Sequence, residues 1–463
     1  MLLAISPVVG MSQDADGKVL RAGAAKSNIT PPLGERVIGG FAPFPSTNIH
    51  DELHARCLIL DNGVTKLGFV ICDNLGIQKD IYNDVRKLIA EETDFPAENL
   101  LMAATHTHSA TPSSSETYRP LLVRRIADCI RRALQNMEEA KIGWGGVDEP
   151  SEVFNRRWYV TDPELRRNPF GGIDEVRMNP PRGGKQLIKP AGPIDPEVSF
   201  ISVQTKDGRP LALLGNYSLH YVGNVERGEI SSDYFGIFSE RIGELIGADD
   251  DFSHPPFVGM MSNGTSGDIN NINFPNPTKK RYAKYEKMTE VAEKVAQKVK
   301  SAYEQIEHHD WVPLGVANRE LTLKVRKPDS AMQAYFKEVR AKPEGAEKFH
   351  RYETNYADRV QRLLDGPEEY VIPLQAMRIG DLAIAAIPFE TFVEIGLEIK
   401  ERSPFGDAFT IELANDYHGY LPTPEQHKLG GYETWMGTNR VEFEASEKIT
   451  DNILEMMQEL KGE

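Results

Sequence analysis

The sequence predicts an α/β fold, in which mixed β-sheets are covered by helices within one large domain. Apolar, β-branched runs alternate along the chain with segments whose apolar residues recur at helical spacing. Polar segments that carry histidine and carboxylate side chains follow the predicted strands, and they extend from residue 106 to residue 432. A site that draws on both ends of the chain requires one domain. We therefore assign residues 21–463 to it and residues 1–20 to a leader or signal-peptide remnant.

The predicted elements follow one another in strand–helix order. Strands are expected at Lys66–Cys72 and Leu100–Ala104, each followed by a helix with one apolar face. The elements expected after these are adjacent strands at 198–203 and 211–219, a helix at 235–245, a long helix at 282–306, a strand at 382–387, a helix at 392–399, a strand at 409–414 and a final helix at 444–460. The Gly- and Pro-rich stretch at 168–196 is predicted to be either a linker or a loop over a site.

Composition excludes several classes of protein. The chain has 53 Lys and Arg against 69 Asp and Glu, a net charge of −16, which disfavours nucleic-acid binding and anionic membrane surfaces. No apolar run is long enough to span a bilayer. The 3 cysteines are too few for a disulfide framework or a Cys-rich zinc site. Both a secreted or periplasmic and a cytoplasmic location stay open, and the sequence assigns no oligomeric state.

Histidines follow two of the predicted strands. His106 and His108 are two residues apart after a strand, so continued extended geometry would turn both imidazoles to one side. Imidazole is a ligand that suits zinc, and His220 repeats the pattern after a later strand. The alternative is a polar strand end with one capping histidine.

Two later segments add a carboxylate and several tyrosines. Glu390 ends a strand and begins a helix, where it would serve either as a zinc ligand or as a carboxylate stabilised by the helix dipole. Tyr417, Tyr420 and Tyr432 follow the next strand and would otherwise form plain aromatic packing. The loop at 261–271 is rich in small residues, which allow close approach to a ligand but are equally typical of an ordinary turn.

In this order and spacing, the segments resemble the N-terminal catalytic domain of the neutral/alkaline, non-lysosomal ceramidase family. The more specific parts are Thr-His-Thr-His-Ser at 105–109 and Asn-x-Tyr-x-x-Tyr at 415–420. The resemblance implies one Zn²⁺ ion, and the ligands it implies are His106, His220, Glu390 and Tyr420. Tyr417 is the alternative to Tyr420, which is preferred because Tyr432 follows it twelve residues later.

The resemblance also implies roles for residues around the metal. His108, Arg156 and Tyr432 are expected to be catalytic, and the substrate-binding residues are expected to be Gly267, Asp268 and Asn270. Two imidazoles and one carboxylate leave zinc with net positive charge, so a bound water would ionise near neutral pH and attack an acyl carbon. His108 and Tyr432 would donate hydrogen bonds to the oxyanion, and His108 is the candidate for moving a proton to the leaving group.

The sequence departs from the family at two points. Asn270 stands where the family carries Ser, and we expect no counterpart of the family's C-terminal β-sandwich domain within these 463 residues. The leading hypothesis is therefore a zinc-dependent hydrolase of lipid metabolism that cleaves an N-acyl (amide) bond. Its expected substrate is a small-molecule or lipid-like acyl compound other than ceramide. One alternative is an ester or lactone hydrolase with the same metal site. Another is an inactive ligand-binding relative.

Overall fold

The computed structural model describes residues 18–40, 42–248, 251, 253–278, 280–343 and 345–462. Residues 1–17 of the predicted leader lie outside the described residues. Leu20, by contrast, is buried in the core.

Strands are the commonest element of the described chain. The first twelve are β1 Arg21–Asn28, β2 Arg36–Val37, β3 Phe44–Pro45, β4 Asn48–Ile49, β5 His54–Asp61, β6 Lys66–Cys72, β7 Leu100–Ala104, β8 Glu138–Asp148, β9 Phe154–Asn155, β10 Arg157–Val160, β11 Val176–Met178 and β12 Leu187–Pro190. The next are β13 Glu197–Thr205, β14 Pro210–Tyr217, β15 Glu229–Ile230, β16 Val258–Asn263, β17 Ile269–Asn270, β18 Leu314–Lys324, β19 Glu369–Ile379, β20 Leu382–Ile387, β21 Glu390–Thr391, β22 Asp407–Glu412 and β23 Tyr420–Leu421.

The helices of the described residues are amphipathic and lie between these strands. They are α1 Lys79–Glu92, α2 Arg119–Gln135, α3 Asp233–Leu245, α4 Glu286–Tyr303, α5 Ser330–Ala341, α6 Glu353–Asp365, α7 Val393–Arg402, α8 Pro424–Leu429 and α9 Ala445–Gly462. None of the helices in this part of the chain combines the length and the apolar character needed to cross a bilayer.

Two main sheets form the centre of the fold. The larger has eight strands in the order β16-β14-β13-β8-β1-β5-β6-β7, and the smaller has four in the order β18-β19-β20-β22. Both are mixed, since β6 pairs with β7, β14 with β16 and β20 with β22 in parallel, while the other pairs are antiparallel.

The sheets pack face to face, and helices cover their outer faces. Phe69, Leu214 and Ile384 belong to the apolar cluster between the sheets. Helices α1 and α2 cover one half of the larger sheet, and α3 and α4 cover the other half. Helices α7 and α9 cover the smaller sheet. The result is one large α/β domain with mixed sheets under helices, as the sequence predicted.

Curvature of the larger sheet brings distant strands together. Its edge strand β16 approaches β7 at the opposite edge. The smaller sheet joins at the same place, because Ala414 forms a β-bridge with Ala103 and the Asn415 N–H donates to the Met102 carbonyl at 2.8 Å. The segments that follow β7, β14, β16, β20 and β22 therefore meet at one end of the sandwich.

Several element boundaries differ from those predicted. The strand expected at 211–219 ends at Tyr217, and the helix expected at 282–306 is α4, which begins at Glu286 after Tyr285 takes a positive φ of 67°. The stretch at 168–196 contains β11 and β12, which flank β10 in a small three-stranded sheet.

Candidate metal centre

His106 leaves the end of β7 in a conformation that the extended pattern did not predict. Its φ is +72°, a region that residues other than glycine occupy rarely. Its backbone N–H is held by the Asn74 carbonyl at 2.9 Å, and its Nδ1 lies 2.7 Å from the Leu75 carbonyl. His108 nevertheless reaches the same side, with its Nε2 3.2 Å from the Nε2 of His106.

His220 follows β14 and is oriented by a buried polar chain. Its Nδ1 lies 3.2 Å from the Ser266 carbonyl and 3.3 Å from the Ser266 hydroxyl. That hydroxyl donates to Oε1 of Glu412 at 2.7 Å, and the other oxygen of Glu412 accepts from the backbone N–H of Thr391 at 2.6 Å. Burial raises the pKa of Glu412 well above its ordinary value. These hydrogen bonds thus connect the imidazole of His220 to β21, the strand that contains Glu390.

Glu390 and Tyr420 lie side by side because they are paired residues of the short parallel strands β21 and β23. Paired residues of adjacent strands turn their side chains to the same face, about 5 Å apart. The Glu390 N–H also donates to the Gly419 carbonyl at 2.9 Å. Both side chains are almost fully buried.

Three imidazoles and the carboxylate converge on one point. His106, His108 and His220 offer ligand nitrogens within 4.8 Å of one another. Oε2 of Glu390 lies 3.3 Å from Nε2 of His106 and 3.9 Å from Nε2 of His220. This oxygen is buried and has no hydrogen-bond partner. A buried, unpartnered carboxylate oxygen is costly unless a cation neutralises it.

The hydrogen bonds of the rings fix which nitrogens can bind a metal. In His106, His108 and His220, Nδ1 faces a backbone carbonyl, which only accepts, so Nδ1 carries the proton in the neutral ring. Each Nε2 then presents a lone pair to the shared centre. Lone pairs facing one another repel unless a cation lies between them, so the donor set fits a metal ion such as zinc.

The pKa values agree with this arrangement. Burial, followed by the charge of His106, lowers the pKa of His108 well below its ordinary value. Burial, followed by the charge of Arg156, does the same for His220. Burial opposes ionisation of Glu390, yet the charge of His106 and hydrogen bonds that include one from Tyr417 lower its pKa to about 2. Neutral His108 and His220 and an ionised Glu390 are forms that can bind a metal ion.

Tyr417 and Tyr420 hold different positions around Glu390. The Tyr417 hydroxyl donates to Oε1 of Glu390 at 2.6 Å. The Tyr420 hydroxyl accepts from Nη2 of Arg156 at 3.0 Å. The guanidinium of Arg156 also donates to Oε1 of Glu433 at 2.9 Å, which fixes its orientation. Burial raises the pKa of both phenols well above its ordinary value, and the charge of Arg156 opposes that rise at Tyr420, so the contact favours Tyr420 over Tyr417 as the phenolic ligand.

An open cavity of about 470 Å³ adjoins the centre. The cavity is lined by four of the predicted site residues at the centre, which are His106, His108, Glu390 and Tyr420. Tyr417 and Tyr432 line it as well. His220 and Arg156 lie behind this lining. The ring of Tyr432 packs edge-on against that of Tyr420, with centroids 5.8 Å apart.

Of the residues predicted to bind substrate, Gly267 and Asp268 lie in the loop after β16, and Asn270 lies in β17. A Cβ on Gly267 would approach the Glu390 carbonyl oxygen to 2.5 Å, so the glycine lets these two segments touch. Asp268 is fully buried and accepts from the Val393 N–H at 2.9 Å and from Nδ2 of Asn155 at 2.7 Å. Asn270 donates to Oδ1 of Asn179 at 2.7 Å. None of the three lines the cavity, and substrate contact through them stays a prediction.

Sequence reasoning missed two groups that support the centre. Glu412 holds Ser266, and Glu433 bridges Arg156 and Arg157, with its second oxygen 2.8 Å from Nη1 of Arg157. The available signal was a charged residue inside an apolar strand for Glu412. For Glu433 the available signal was the consecutive pair Arg156 and Arg157, because two buried arginines require an acidic partner.

Comparison with known proteins assigns the chain to a family. The family model for neutral/alkaline non-lysosomal ceramidase, N-terminal, matches residues 20–302, more than half of the chain. The neutral ceramidase of Pseudomonas aeruginosa has a similar structure, with 18% identity and a TM-score of 0.72 over 96% of this chain and 75% of that one. A ceramidase complexed with C2 is similar at 17% identity and a TM-score of 0.71, over 96% and 76% of the two chains.

The two structural neighbours establish the fold, and the residues that the family model matches include His106, His220 and Asp268. The chain is accordingly a ceramidase-like hydrolase, a member of the neutral/alkaline non-lysosomal ceramidase family.

Proposed function

We propose that the protein is a zinc-dependent hydrolase that cleaves an amide-type (N-acyl) bond. One observation carries the proposal. The Nε2 lone pairs of His106 and His220 and the unpartnered Oε2 of Glu390 meet at a buried point beside an open cavity. Family membership supports the reaction class, since the resemblance is to hydrolases of an N-acyl bond.

The proposed zinc ligands are His106, His220, Glu390 and Tyr420. Zinc at this point would supply a Lewis acid and lower the pKa of a water molecule toward neutrality. The Tyr420 phenol would complete the set, because Arg156 stabilises its ionised form. The Ser266–Glu412 pair would hold His220 in its ligating orientation.

Tyr432 and His108 would act on the substrate from the cavity side. The Tyr432 hydroxyl can donate a hydrogen bond to an oxyanion that develops on the acyl oxygen. Neutral His108 keeps its proton on Nδ1, against the Gly39 carbonyl at 2.8 Å, so its Nε2 accepts a proton instead of donating one. His108 would therefore take the proton released by water and deliver it to the leaving nitrogen as the carbon–nitrogen bond breaks.

Metal removal and a substrate panel test the proposal. Purified protein is expected to contain about one zinc ion per chain, and chelation should abolish hydrolysis of N-acyl amides, which zinc should then restore. His106→Ala should lose both metal and activity. His309→Ala, which changes a histidine outside the centre, should keep both.

The panel contains N-acyl amides, ceramide among them, together with acyl esters and lactones. Cleavage of amides supports the proposal. Cleavage of esters or lactones alone would replace it with an ester- or lactone-hydrolase function at the same centre. Zinc-free protein with no hydrolysis of any member would indicate a ligand-binding relative.

A further inference from the structure

The cavity beside the centre has a cationic wall. Arg359 and Arg362 reach it from α6, and Arg440 reaches it from the segment after Thr438. The two arginines of α6 are three residues apart, so they lie on one face of the helix. Among the described residues that line the cavity, Glu390 is the one carboxylate. The cavity is thus positive in a chain whose net charge is −16.

Two of these guanidinium groups have no carboxylate partner within the described residues. Neither Arg362 nor Arg440 has a carboxylate oxygen within 4.0 Å there. Arg319, by comparison, is neutralised by two carboxylates, since it lies 2.7 Å from Glu455 and 2.8 Å from Glu459. The charges of Arg362 and Arg440 are therefore open to an anion that enters the cavity.

The arginines lie next to residues of the centre. The guanidinium of Arg440 is 5.9 Å from the ring centroid of Tyr417, whose hydroxyl donates to Glu390. Nη1 of Arg359 donates to the Thr438 hydroxyl at 3.2 Å, and the Tyr420 N–H donates to the carbonyl of the same Thr438. A group bound by these arginines would therefore lie close to a bond held at the centre.

The arginines of the cavity wall favour a negatively charged ligand. Guanidinium groups bind carboxylate and phosphate-type oxyanions with paired, charge-assisted hydrogen bonds. Ceramide has hydroxyl groups and hydrocarbon chains but no charge. Packing hydrocarbon against Arg362 and Arg440 would remove water from these two cations without supplying an acceptor.

We propose that the substrate of this site is an anionic N-acyl compound, whose oxyanion is bound by Arg359, Arg362 and Arg440. The proposal rests on the N-acyl hydrolase function and specifies its substrate class. The arginines are binding groups, so they determine affinity for the anion and leave the bond-breaking step unchanged.

The test uses matched compounds and the zinc-loaded protein. To test an anion at the amine end, N-acylglycine and N-acylaminomethylphosphonate are compared with neutral N-acylethanolamine, all with the same acyl chain. To test an anion at the acyl end, N-succinyl amides are compared with N-butanoyl amides of the same amine. Calorimetry gives Kd, and turnover gives kcat and KM. At least one anionic member is expected to bind about tenfold or more tightly than its neutral partner, and the preferred member identifies the oxyanion and its position.

Variants separate the arginines from the metal as the anion's partner. Arg362→Gln and Arg440→Gln should each raise Kd and KM for the preferred anion about tenfold, with kcat and the neutral compounds unchanged. Arg125→Gln removes an exposed arginine of α2 outside the cavity and should change nothing. Arg362 is exposed, so its variant should fold normally.

The two proposals fail in different ways. Equal affinity for anionic and neutral compounds, or equal losses for both in the arginine variants, would overturn the anionic substrate while N-acyl hydrolysis stands. Arginine-dependent binding of anions with no hydrolysis of any N-acyl compound would instead overturn the hydrolase function.

Discussion

At the residue scale, the tautomers of three histidines determine what the centre can do. Backbone carbonyls of Leu75, Gly39 and Ser266 hold the Nδ1 protons, so every Nε2 faces the shared point as an acceptor. The sequence contained the three histidines, but their ring orientation depends on carbonyls from three separate segments. The two-residue spacing of His106 and His108 could therefore not predict the orientation of their rings.

The hydroxyl of Ser266 is expected to set metal affinity through His220. Ser266→Ala removes the link between Glu412 and the imidazole. Loss of such a supporting contact typically weakens metal binding about 10- to 100-fold. Competition with a chelator measures it, and Ser239→Ala on α3, whose hydroxyl donates only to the Phe235 carbonyl, is the control. Equal zinc affinity in Ser266→Ala and the parent would contradict the role.

Two tyrosines compete for the role of phenolic ligand. Zinc binding is expected to produce tyrosinate absorption in the parent and in Tyr417→Phe, but not in Tyr420→Phe, because Arg156 favours the phenolate of Tyr420. Ultraviolet difference spectra during zinc titration provide the measurement. If the signal disappears in Tyr417→Phe and persists in Tyr420→Phe, then Tyr417 is the ligand.

At the element scale, short strands and loops position the ligands more than long elements do. Strands β6 and β7 were predicted with their observed bounds, because their runs are apolar apart from Lys66 at the start of β6. Strands β18 and β19 and helices α5 and α6 were not predicted, because charged residues interrupt their apolar pattern. The arginines of α6 therefore resembled a solvent-facing surface.

Close contact between the 264–268 loop and β21 depends on Gly267. In Gly267→Ala, the new Cβ would meet the Glu390 carbonyl at 2.5 Å and push the ligand strand away. We expect a loss of about 1–3 kcal/mol of unfolding free energy, together with weaker zinc binding. Denaturant unfolding and zinc titration measure the two effects. In the control Gly462→Ala, nothing lies within 4 Å of the new Cβ. Unchanged zinc affinity in Gly267→Ala would contradict the assigned contact.

Asp233 ties the loop after His220 to the start of α3. It accepts from the backbone N–H groups of Val222 and Gly223, at 3.1 and 2.7 Å, and burial raises its pKa to about 6. The folded state then binds more protons than the unfolded state between about pH 4 and 6, so the stability contributed by Asp233 falls as pH rises through this window.

Asp233→Asn should lack this pH dependence. Its unfolding free energy relative to the parent is expected to rise by up to about 3 kcal/mol between pH 4 and 7. Urea unfolding across this range supplies the measurement. A difference that does not change with pH would show that Asp233 ionises normally in the folded protein.

At the scale of the whole molecule, sheet curvature assembles the centre. The sequence predicted mixed sheets under helices, which the structure confirms, and the ligand assignments made at strand ends stay predictions. It did not predict that β7 and β16, at opposite edges of one sheet, would approach each other, because curvature arises from the packing of two sheets and not from any local pattern. The candidate ligands came from the family resemblance, and their convergence is a property of the fold.

The proposed function depends on a zinc ion held by His106, His220, Glu390 and Tyr420. An anomalous difference map from crystals of the zinc-loaded protein, recorded at the zinc absorption edge, tests it most directly. We predict one peak in contact with Nε2 of both histidines, Oε2 of Glu390 and the Tyr420 hydroxyl, at distances of about 2.0–2.2 Å. A peak elsewhere, a peak bound by His108 in place of Glu390, or no peak would contradict the account.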